Sequence, residues 1–300
     1  MILITGATGF VGRHLVARLA GEGKLRCLVR RSPRVAVLEP YGVEIAYGDV
    51  TDPASIRVAL PGVDTVVHLA AIIRERGPYT FESVNYRGSR DLIQASAEAG
   101  VTRFIFMSNL NAGPNPEFPF LLSKWRAEED LKESGLAYSI LRPSIIFGRG
   151  DEFITTLAQV VKRPPTGGFF LLPIVPVIGS GRVRFQPVWV EDVVTCLVQL
   201  LQREDVIGQT REIGGPEHLT YDAVVDTIID VLGHRRWKVH VPLSLMRPVV
   251  RLMERFLAYP PITSHQLNMI RVDNITQVNA VEANFGFIPL RLRDGIDYVR

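Results

Sequence analysis

The sequence predicts an α/β fold, with a doubly wound parallel sheet followed by a smaller mixed C-terminal lobe. In the first half of the chain, short apolar runs alternate with segments that are apolar at helical spacing, which is typical of a parallel sheet covered on both faces. After Pro143 the alternation loosens and prolines cluster, which indicates a loop-rich lobe. The chain has 300 residues, so we expect a sheet domain over residues 1–150 and a lobe over residues 151–300 that is interleaved with it.

The predicted strands are short and apolar nearly throughout, as parallel strands buried on both faces are. In chain order they are Met1–Thr5, Leu25–Val29, Val43–Ala46, Asp64–Leu69, Val101–Met107 and Ala137–Leu141. Helices are predicted where apolar residues recur every three or four positions. They are Arg13–Ala20, Asp52–Leu60, Phe81–Ala99, Lys124–Ser134, Glu191–Leu201 and Tyr221–Leu232. Right-handed crossovers between such elements give a doubly wound sheet, which binds ligands at the carboxyl ends of its strands.

A glycine-rich turn joins the first strand to the first helix. Gly6 permits a tight turn, Gly9 has no Cβ and lets a pyrophosphate approach the backbone, and Gly12 lets the helix pack close to the strand. The free N–H groups of the helix N-terminus then face the phosphates. We expect this turn to bind a nicotinamide dinucleotide, and the alternative is a glycine-rich turn without a ligand. The expected contacts are Gly6, Thr8, Gly9, Phe10, Val11 and Gly12.

The end of the second strand indicates which dinucleotide the turn holds. NAD-type sites usually carry a carboxylate there for the ribose 2′-hydroxyl. This chain has Arg30 and Arg31 instead, and guanidinium groups suit a 2′-phosphate. NADP(H) is therefore favoured and NAD(H) stays open, as does the alternative that both arginines are solvated surface charges. Asp49, after the third strand, is either an acceptor for the adenine amino group or a turn residue beside Asp52.

Composition excludes several other classes of function. The net charge of +3 comes from scattered residues and no basic tract indicates nucleic-acid binding. The six histidines show no ligand spacing, so no metal site is predicted. The lone cysteines Cys27 and Cys196 suggest reduced core thiols and a cytoplasmic location. The longest apolar stretch, Gly167–Gly179, is too short to span a bilayer.

Several motifs together resemble the extended and atypical short-chain dehydrogenase/reductase superfamily, which is epimerase/dehydratase-like. They are the glycine turn, Gly48-Asp49-Val50, His68-Leu69-Ala70-Ala71, Asn85, Leu141-Arg142-Pro143 before Phe147-Gly148, and the segment Val188–Val193. The resemblance implies a Rossmann domain with a small substrate lobe. It also implies that Asp49 and Val50 contact adenine, that Leu69, Ala70, Ala71 and Asn85 line the cofactor, and that Pro143 lies near the nicotinamide. Relatives often form homodimers, which makes a homodimer an expectation by analogy.

The catalytic motif of that superfamily, Tyr-x-x-x-Lys with an upstream Ser or Thr, is incomplete here. Lys124 matches the motif lysine, which positions the cofactor, but Phe120 stands in place of the tyrosine. Leu110 falls at the position of the upstream hydroxyl, and Ser108 lies two residues earlier as a weaker candidate for the catalytic hydroxyl. A phenylalanine has no proton to give to the alkoxide that hydride transfer produces. The pattern therefore predicts a site that holds a cofactor and lacks the usual acid.

A second resemblance is more specific. The segment Ser108–Ala112, the missing tyrosine and the segment Pro260–Asn274 are similar to the nucleotide-binding accessory subunits of respiratory complex I and their bacterial relatives. That resemblance implies NADPH binding without known turnover, a structural or redox-sensing role, and association with a membrane-bound respiratory complex at the inner face of the membrane. The alternative function is an NAD(P)-dependent oxidoreductase or sugar-nucleotide epimerase/dehydratase with a non-standard acid, such as Ser108, Ser123, His68 or a water held by Asn109.

The C-terminal segment Ser244–Ala258 is amphipathic. Arg247, Arg251 and Arg255 recur every four residues, and apolar residues occupy the other faces. Such a helix docks on an anionic membrane or on a partner, or packs its apolar face on its own lobe. We favour the packed arrangement, with the arginines in water, because Pro248 disturbs a long membrane helix.

Overall fold

The computed structural model describes residues 1–162, 173–257 and 260–300. These residues divide into two units. The first comprises Met1–Pro143 and Val190–Glu212, and the second comprises Ser144–Trp189 and Ile213–Arg300. Residues 167–172 of the apolar stretch noted above, and Ala258 of the amphipathic segment, lie outside the described residues.

The strands of the described residues are numbered in chain order. They are β1 (Ile2–Thr5), β2 (Leu25–Val29), β3 (Glu44–Tyr47), β4 (Thr65–His68), β5 (Arg103–Met107), β6 (Tyr138–Pro143), β7 (Ile146–Phe147), β8 (Ile174–Ile178), β9 (Arg184–Phe185), β10 (Val188–Trp189), β11 (Gln209–Ile213), β12 (Leu219–Thr220) and β13 (Trp237–Val241).

The helices are numbered in the same way. They are α1 (Phe10–Leu19), α2 (Pro53–Ala59), α3 (Ser89–Glu98), α4 (Pro119–Glu133), α5 (Phe153–Lys162), α6 (Val190–Gln202), α7 (Tyr221–Leu232), α8 (Leu243–Phe256), α9 (Ser264–Met269), α10 (Ala280–Phe285) and α11 (Leu292–Gly295). A 3₁₀ segment covers Pro33–Tyr41, a π-helical segment covers Phe81–Gly88, and a short 3₁₀ turn covers Asp297–Val299. None of these helices combines the length and the apolarity that a membrane crossing requires.

The first unit is built on a seven-stranded sheet with the order β11-β6-β5-β4-β1-β2-β3. The neighbouring pairs from β3 through β6 are all parallel. The chain winds outward from β1 to β3, crosses back to β4 beside β1, and winds outward again. This is a doubly wound Rossmann-type sheet, and it confirms the predicted fold class.

Local sequence signals account for where the helices of this unit begin. The Asp52 side chain accepts a hydrogen bond from the N–H of Ala54 at 3.0 Å and caps α2, which starts at Pro53. Pro119 likewise occupies the first position of α4, so that helix starts five residues before the predicted Lys124. The helix predicted over Phe81–Ala99 is a π-helical segment that continues into α3.

The core of the first unit packs against the sheet. Leu3, Val66 and Phe104 stand on adjacent strands, and each is fully buried. They share one apolar cluster with residues of the flanking helices, among them Ile56, Leu92, Ala127 and Leu131. Burial of this kind contributes roughly 25 cal/mol per Å² of apolar surface. One continuous cluster therefore holds β1, β4 and β5 against the flanking helices.

The second unit has short two-stranded pairings instead of one large sheet. β7 pairs with β10 and β8 with β13 in parallel, and β9 pairs with β12 in antiparallel. A fully buried amide, that of Gln186, ties its loops together: Nε2 donates to the carbonyl of Gly215 at 2.7 Å, and Oε1 accepts from the N–H of Thr276 at 2.7 Å. Buried polar groups that are satisfied in this way stabilise one arrangement of the loops.

Helix α8 corrects one expectation from the sequence. Val250 is fully buried, so one apolar face does pack on its own unit. Leu245, Leu252 and Phe256, however, are between 59% and 73% exposed. The expectation that the apolar residues of this segment pack on the lobe's own core is therefore wrong for these side chains. The helix carries two apolar faces, and periodicity alone does not tell which one the fold covers.

Candidate functional site

The predicted site residues lie at one edge of the sheet in the first unit. Each follows, or ends, a strand: Gly6 follows β1, Arg30 follows β2, Asp49 lies just past β3, Leu69 follows β4 and Ser108 follows β5. Because these strands are parallel, their carboxyl ends meet at the same edge. The two directions of winding diverge between β1 and β4, which is the switch point where such sheets bind ligands.

The glycine turn has the tight geometry that the sequence predicts. Gly6 has a φ of +73°, and a Cβ at this position would stand 2.7 Å from the backbone nitrogen of Ala70. A Cβ on Gly12 would stand 2.1 Å from the carbonyl oxygen of Gly6. Both contacts are shorter than a real Cβ tolerates, so these two positions require glycine for the turn itself.

The N-terminus of α1 has the features of an anion-binding end. Gly9 is the exposed N-cap residue, it offers no side-chain cap, and the first turn of α1 carries no acidic residue. Among the described residues, no side chain caps the leading N–H groups of the helix. A Cβ on Gly9 would meet only the carbonyl oxygen of Gly6, at 3.0 Å. The open space over Gly9 and the uncapped N–H groups fit a pyrophosphate.

A buried chain of hydrogen bonds fixes the loop after β4. Oγ1 of Thr5 lies 2.6 Å from Nδ1 of His68, and Nε2 of His68 lies 2.8 Å from Oγ of Ser89. Ser89 in turn donates to the carbonyl of Asn85 at 2.7 Å. Since the Ser89 proton is committed to Asn85, Nε2 of His68 carries the ring proton, and Thr5 donates to Nδ1. Thr5 also accepts from the N–H of Ala70 at 3.3 Å.

His68 is a neutral linker in this chain. Burial first, and the nearby charge of Lys124 second, lower the pKa of His68 to about 3. Its ring is stacked on Phe106 with centroids 5.4 Å apart. The side chain is thus uncharged at neutral pH, and both of its nitrogens are engaged.

Asn85 holds the far end of the same loop. Its Oδ1 accepts from the N–H of Ile72 at 2.8 Å, and its Nδ2 donates to the carbonyl of Ile72 at 2.9 Å. The predicted cofactor-lining residues Leu69, Ala70 and Ala71 therefore lie between two anchors, Thr5 on one side and Asn85 on the other. The sequence prediction included Asn85 but missed Thr5 and Ser89, whose partners are distant along the chain.

Arg30 and Arg31 lie side by side at the end of β2, and both are exposed. The guanidinium of Arg30 stands over the ring of Tyr79 at 4.9 Å, and that of Arg31 over the ring of Tyr47 at 4.4 Å. Cation–π contacts of this kind orient a guanidinium without using its N–H groups. Both arginines thus keep donors available to an anion, and the two tyrosines are positions that the sequence prediction missed.

Asp49 serves the turn after β3. Its Oδ1 accepts from the N–H and the hydroxyl of Thr51, each at 2.9 Å. Its Oδ2 lies 3.9 Å from Nε of Arg30. The next residue, Val50, is buried, and its carbonyl would stand 3.0 Å from a Cβ on Gly88. Asp49 therefore acts as a turn residue in the structure through its Oδ1. Its Oδ2 remains available to accept a hydrogen bond from another donor.

Lys124 is buried inside α4 with 2% of its surface exposed. Burial lowers the pKa of Lys124 to about 7, and the carboxylate of Glu128 opposes that shift. Its Nζ stands 4.1 Å from the centroid of the Phe106 ring. Glu128, one turn further along, is fully buried in a bidentate ion pair with Arg142 at 2.6 and 2.9 Å. Arg142 thus neutralises the carboxylate nearest to Lys124 along the helix.

Phe120 occupies the position one turn before Lys124. It is buried, and its ring packs edge-on against Phe81 with centroids 5.7 Å apart. Leu110 is also buried, and its N–H donates to the carbonyl of Pro143 at 2.9 Å. Ser108 is 4% exposed, and its hydroxyl has no hydrogen-bond partner among the described residues. Phe120 and Leu110 are thus buried apolar side chains, and Ser108 carries a buried hydroxyl group.

Comparison with known proteins places this geometry in a family. A family model described as NAD(P)H-binding matches residues 6–165, which is more than half of the chain. The chain belongs to the NAD(P)H-binding family. This confirms the resemblance to atypical short-chain dehydrogenase/reductases and the expectation that the chain binds a nicotinamide dinucleotide.

Curated relatives of this family member differ in their described roles. The photosystem II assembly factor Ycf39 of Guillardia theta is 35% identical over 96% of this chain and 89% of its own length. The 40 kDa subunit of mitochondrial NADH-ubiquinone oxidoreductase of Neurospora crassa is 27% identical over 88% of this chain and 68% of its own. A ceramide reductase of Caulobacter vibrioides is 34% identical over 69% of this chain and 62% of its own.

The fold of this family member is shared with sugar-nucleotide epimerases. The crystal structure of the UDP-glucose 4-epimerase of Thermotoga maritima superimposes with a TM-score of 0.75 over 99% of this chain and 96% of that one, at 21% identity. The fold of the extended short-chain dehydrogenase/reductases is thereby shown for this chain.

Proposed function

We propose that this family member binds NADP(H) and does not use it for the ordinary carbonyl reduction of its superfamily, acting instead as a structural or redox-sensing nucleotide-binding protein. The observation that carries the proposal is the pair of Phe120 and Lys124 on α4. The lysine is retained and buried, while the ring one turn before it has no hydroxyl and is packed against Phe81.

The residues proposed to hold the cofactor follow the edge of the sheet. The glycine turn and the N-terminus of α1 bind the pyrophosphate, the arginines after β2 bind the 2′-phosphate, and the loop after β4 lines the nicotinamide half. Lys124 donates to the nicotinamide ribose. The full set is Gly6, Thr8, Gly9, Phe10, Val11, Gly12, Arg30, Arg31, Asp49, Val50, Leu69, Ala70, Ala71, Asn85, Lys124 and Pro143.

We propose that the site lacks the two hydroxyl groups that the superfamily uses in carbonyl reduction. Bound NADPH supplies a hydride, and reduction of a carbonyl then requires a proton donor and a group that stabilises the developing oxyanion. Phe120 gives neither, and Leu110 offers no hydroxyl. Loss of a general acid alone typically costs about a hundredfold to ten-thousandfold in rate. The proposal therefore predicts binding without turnover.

Release and identification of the nucleotide that copurifies with the protein test this proposal first. We expect NADP(H), binding of added NADPH, and no carbonyl-dependent oxidation of bound NADPH with a panel of aldehydes and ketones. The double variant Leu110→Ser, Phe120→Tyr restores both hydroxyl groups, and we expect it to oxidise NADPH at least about tenfold faster with one of these probes. Turnover by the natural chain at enzymatic rates would overturn the proposal.

A second candidate function is an oxidoreductase that uses a non-standard acid, and the pKa of Lys124 favours it. With a pKa of about 7, the ammonium is present at neutral pH and gives up its proton readily. Ser108 is a further candidate, because its buried hydroxyl has no described partner. The relative named as a ceramide reductase supports this alternative.

Two other groups considered as acids are less suited. His68 is neutral with both nitrogens engaged, and the hydroxyl of Ser123 donates to the carbonyl of Phe120 at 2.6 Å. If turnover is observed, Lys124→Met and Ser108→Ala decide whether either group supplies the proton. The pH–rate profile would show a limb near pH 7 only if Lys124 is the acid.

The names of two relatives support a role beside a membrane-bound complex. The 40 kDa relative is named as a subunit of NADH-ubiquinone oxidoreductase, and this name supports association of the present chain with a respiratory complex, for which we propose a position at the inner face of the membrane. The free thiols of Cys27 and Cys196 are both buried, which supports a cytoplasmic compartment. Copurification with subunits of a respiratory complex tests the association, and light scattering of the isolated protein tests the expected homodimer.

A further inference from the structure

Helix α8 carries a row of exposed apolar side chains, which we call the α8 stripe. Its members are Leu245, Val249, Leu252 and Phe256, which are 62%, 42%, 59% and 73% exposed. At 100° per residue they fall within about 60° around the helix, and they extend over about 16 Å of its length. Single exposed apolar residues are ordinary on a protein surface, but a continuous row along one helix marks an interaction surface.

The α8 stripe is separate from the face by which the helix packs on its own unit. Val250 is fully buried, and Met246 and Met253 are half-buried on the same side as Val250. The middle of that packed face lies about 100° around the helix from the middle of the stripe. The helix is thus held in place by one apolar face and presents a second one to its surroundings.

A row of arginines follows the other side of the helix. Arg247, Arg251 and Arg255 are exposed, and no described residue forms an ion pair or hydrogen bond with them. Arg255 lies about 90° and Arg251 about 130° around the helix from the middle of the stripe. Both side chains are long enough to reach the level of the stripe's edge.

The acidic residue of α8, Glu254, forms no ion pair with this row among the described residues. The carboxylate of Glu254 accepts from the N–H of Ser264 at 2.7 Å and from its hydroxyl at 2.6 Å. These bonds engage Glu254 with the first turn of α9. The exposed part of α8 therefore combines an apolar row with unpaired positive charge.

We propose that the α8 stripe docks on the surface of an anionic lipid bilayer, in the plane of the membrane. Four apolar side chains enter the boundary between headgroups and acyl chains, and Arg251 and Arg255 bind lipid phosphates at the edge of the helix. The positive charge of α8 favours an anionic bilayer as the partner, because guanidinium groups without carboxylate partners complement a layer of phosphates. The four side chains of the α8 stripe form a straight row along the helix, and such a row fits the flat surface of a bilayer. The inference does not depend on whether the nucleotide is turned over.

Flotation of the full-length protein with lipid vesicles tests this proposal. The probes are vesicles of phosphatidylcholine alone and of phosphatidylcholine with about one third phosphatidylglycerol. We expect binding to the anionic vesicles, weaker or absent binding to the neutral ones, and weakening as salt is raised. We expect Leu252→Gln, Phe256→Gln to bind at least about tenfold more weakly, and Arg251→Gln, Arg255→Gln to do the same.

Matched variants outside α8 control for these changes. Val58→Gln, Ile288→Gln removes two apolar side chains that are at least as exposed as Leu252 and Phe256, and Arg57→Gln, Arg235→Gln removes two exposed arginines. Both controls should bind as the natural chain does, and all variants should keep its unfolding midpoint. Three results would overturn the proposal: no binding to anionic vesicles, binding that the α8 variants leave unchanged, or a stripe-dependent dimer or protein complex without vesicle binding.

Discussion

The hydroxyl oxygen of Thr5 lies 2.6 Å from Nδ1 of His68, and both side chains are fully buried. This contact joins the last residue of β1 to the last residue of β4, where the chain reverses its direction of winding. The same hydroxyl oxygen of Thr5 also accepts a hydrogen bond from the N–H of Ala70 at 3.3 Å. The hydrogen bond therefore sets the backbone of the loop that we propose to line the cofactor.

The first prediction concerns Thr5. Thr5→Val keeps the shape of the side chain but leaves Nδ1 of His68 and the N–H of Ala70 without a partner, and each unsatisfied buried group costs about 1–3 kcal/mol. We expect the free energy of unfolding to fall by at least about 2 kcal/mol, measured by urea denaturation, with weaker NADPH binding. Thr5→Ser keeps the hydroxyl and serves as the control. Equal losses in the two variants would contradict the role of the hydrogen bond.

The Thr5–His68–Ser89 chain also marks the limit of what the sequence predicts. The strands are predictable because buried parallel strands must be apolar, and Gly6 and Gly12 because a Cβ there would collide with the turn. The partners of His68 are 63 and 21 residues away along the chain, and no periodicity connects them. The sequence likewise does not show which face of α8 the fold covers, since both faces are apolar. The partners of His68 and the covered face of α8 both depend on tertiary contacts that form only when the chain folds.

The second prediction concerns the pH dependence of stability. Burial lowers the pKa of Lys124 from 10.5 to about 7 in the folded state. Between these values the unfolded chain binds the proton and the folded chain does not, so stability rises with pH across that window. We expect the nucleotide-free natural chain to gain about 2 kcal/mol more between pH 7 and pH 9 than Lys124→Met does. Urea denaturation at the two pH values measures the difference, and parallel curves would refute it.

The third prediction separates nucleotide binding from folding at Gly9. A Cβ there would meet only the carbonyl oxygen of Gly6, at 3.0 Å, a tight contact that a shift of a few tenths of an ångström relieves, and the methyl group would fill the space proposed for the pyrophosphate. We expect Gly9→Ala to change the free energy of unfolding by at most about 1 kcal/mol and to weaken NADPH binding by more than about tenfold. Gly23→Ala, which has no neighbouring atom within 4 Å, is the control. Unchanged NADPH affinity in Gly9→Ala would place the phosphates elsewhere.

The fourth prediction concerns the choice between the two nicotinamide dinucleotides. Arg30 and Arg31 stack on Tyr79 and Tyr47 and keep their N–H donors available, and a hydrogen bond to a charged group contributes about 1.5–3 kcal/mol. We expect the double variant Arg30→Gln, Arg31→Gln to raise the Kd for NADPH by about tenfold to a hundredfold and to change the Kd for NADH less than about threefold. Fluorescence titration of bound nicotinamide measures both constants. Arg57→Gln, on the last turn of α2 before β4 begins, should leave both constants unchanged. An equal loss for NADH and NADPH would show that these arginines stabilise the site in general and do not recognise the 2′-phosphate.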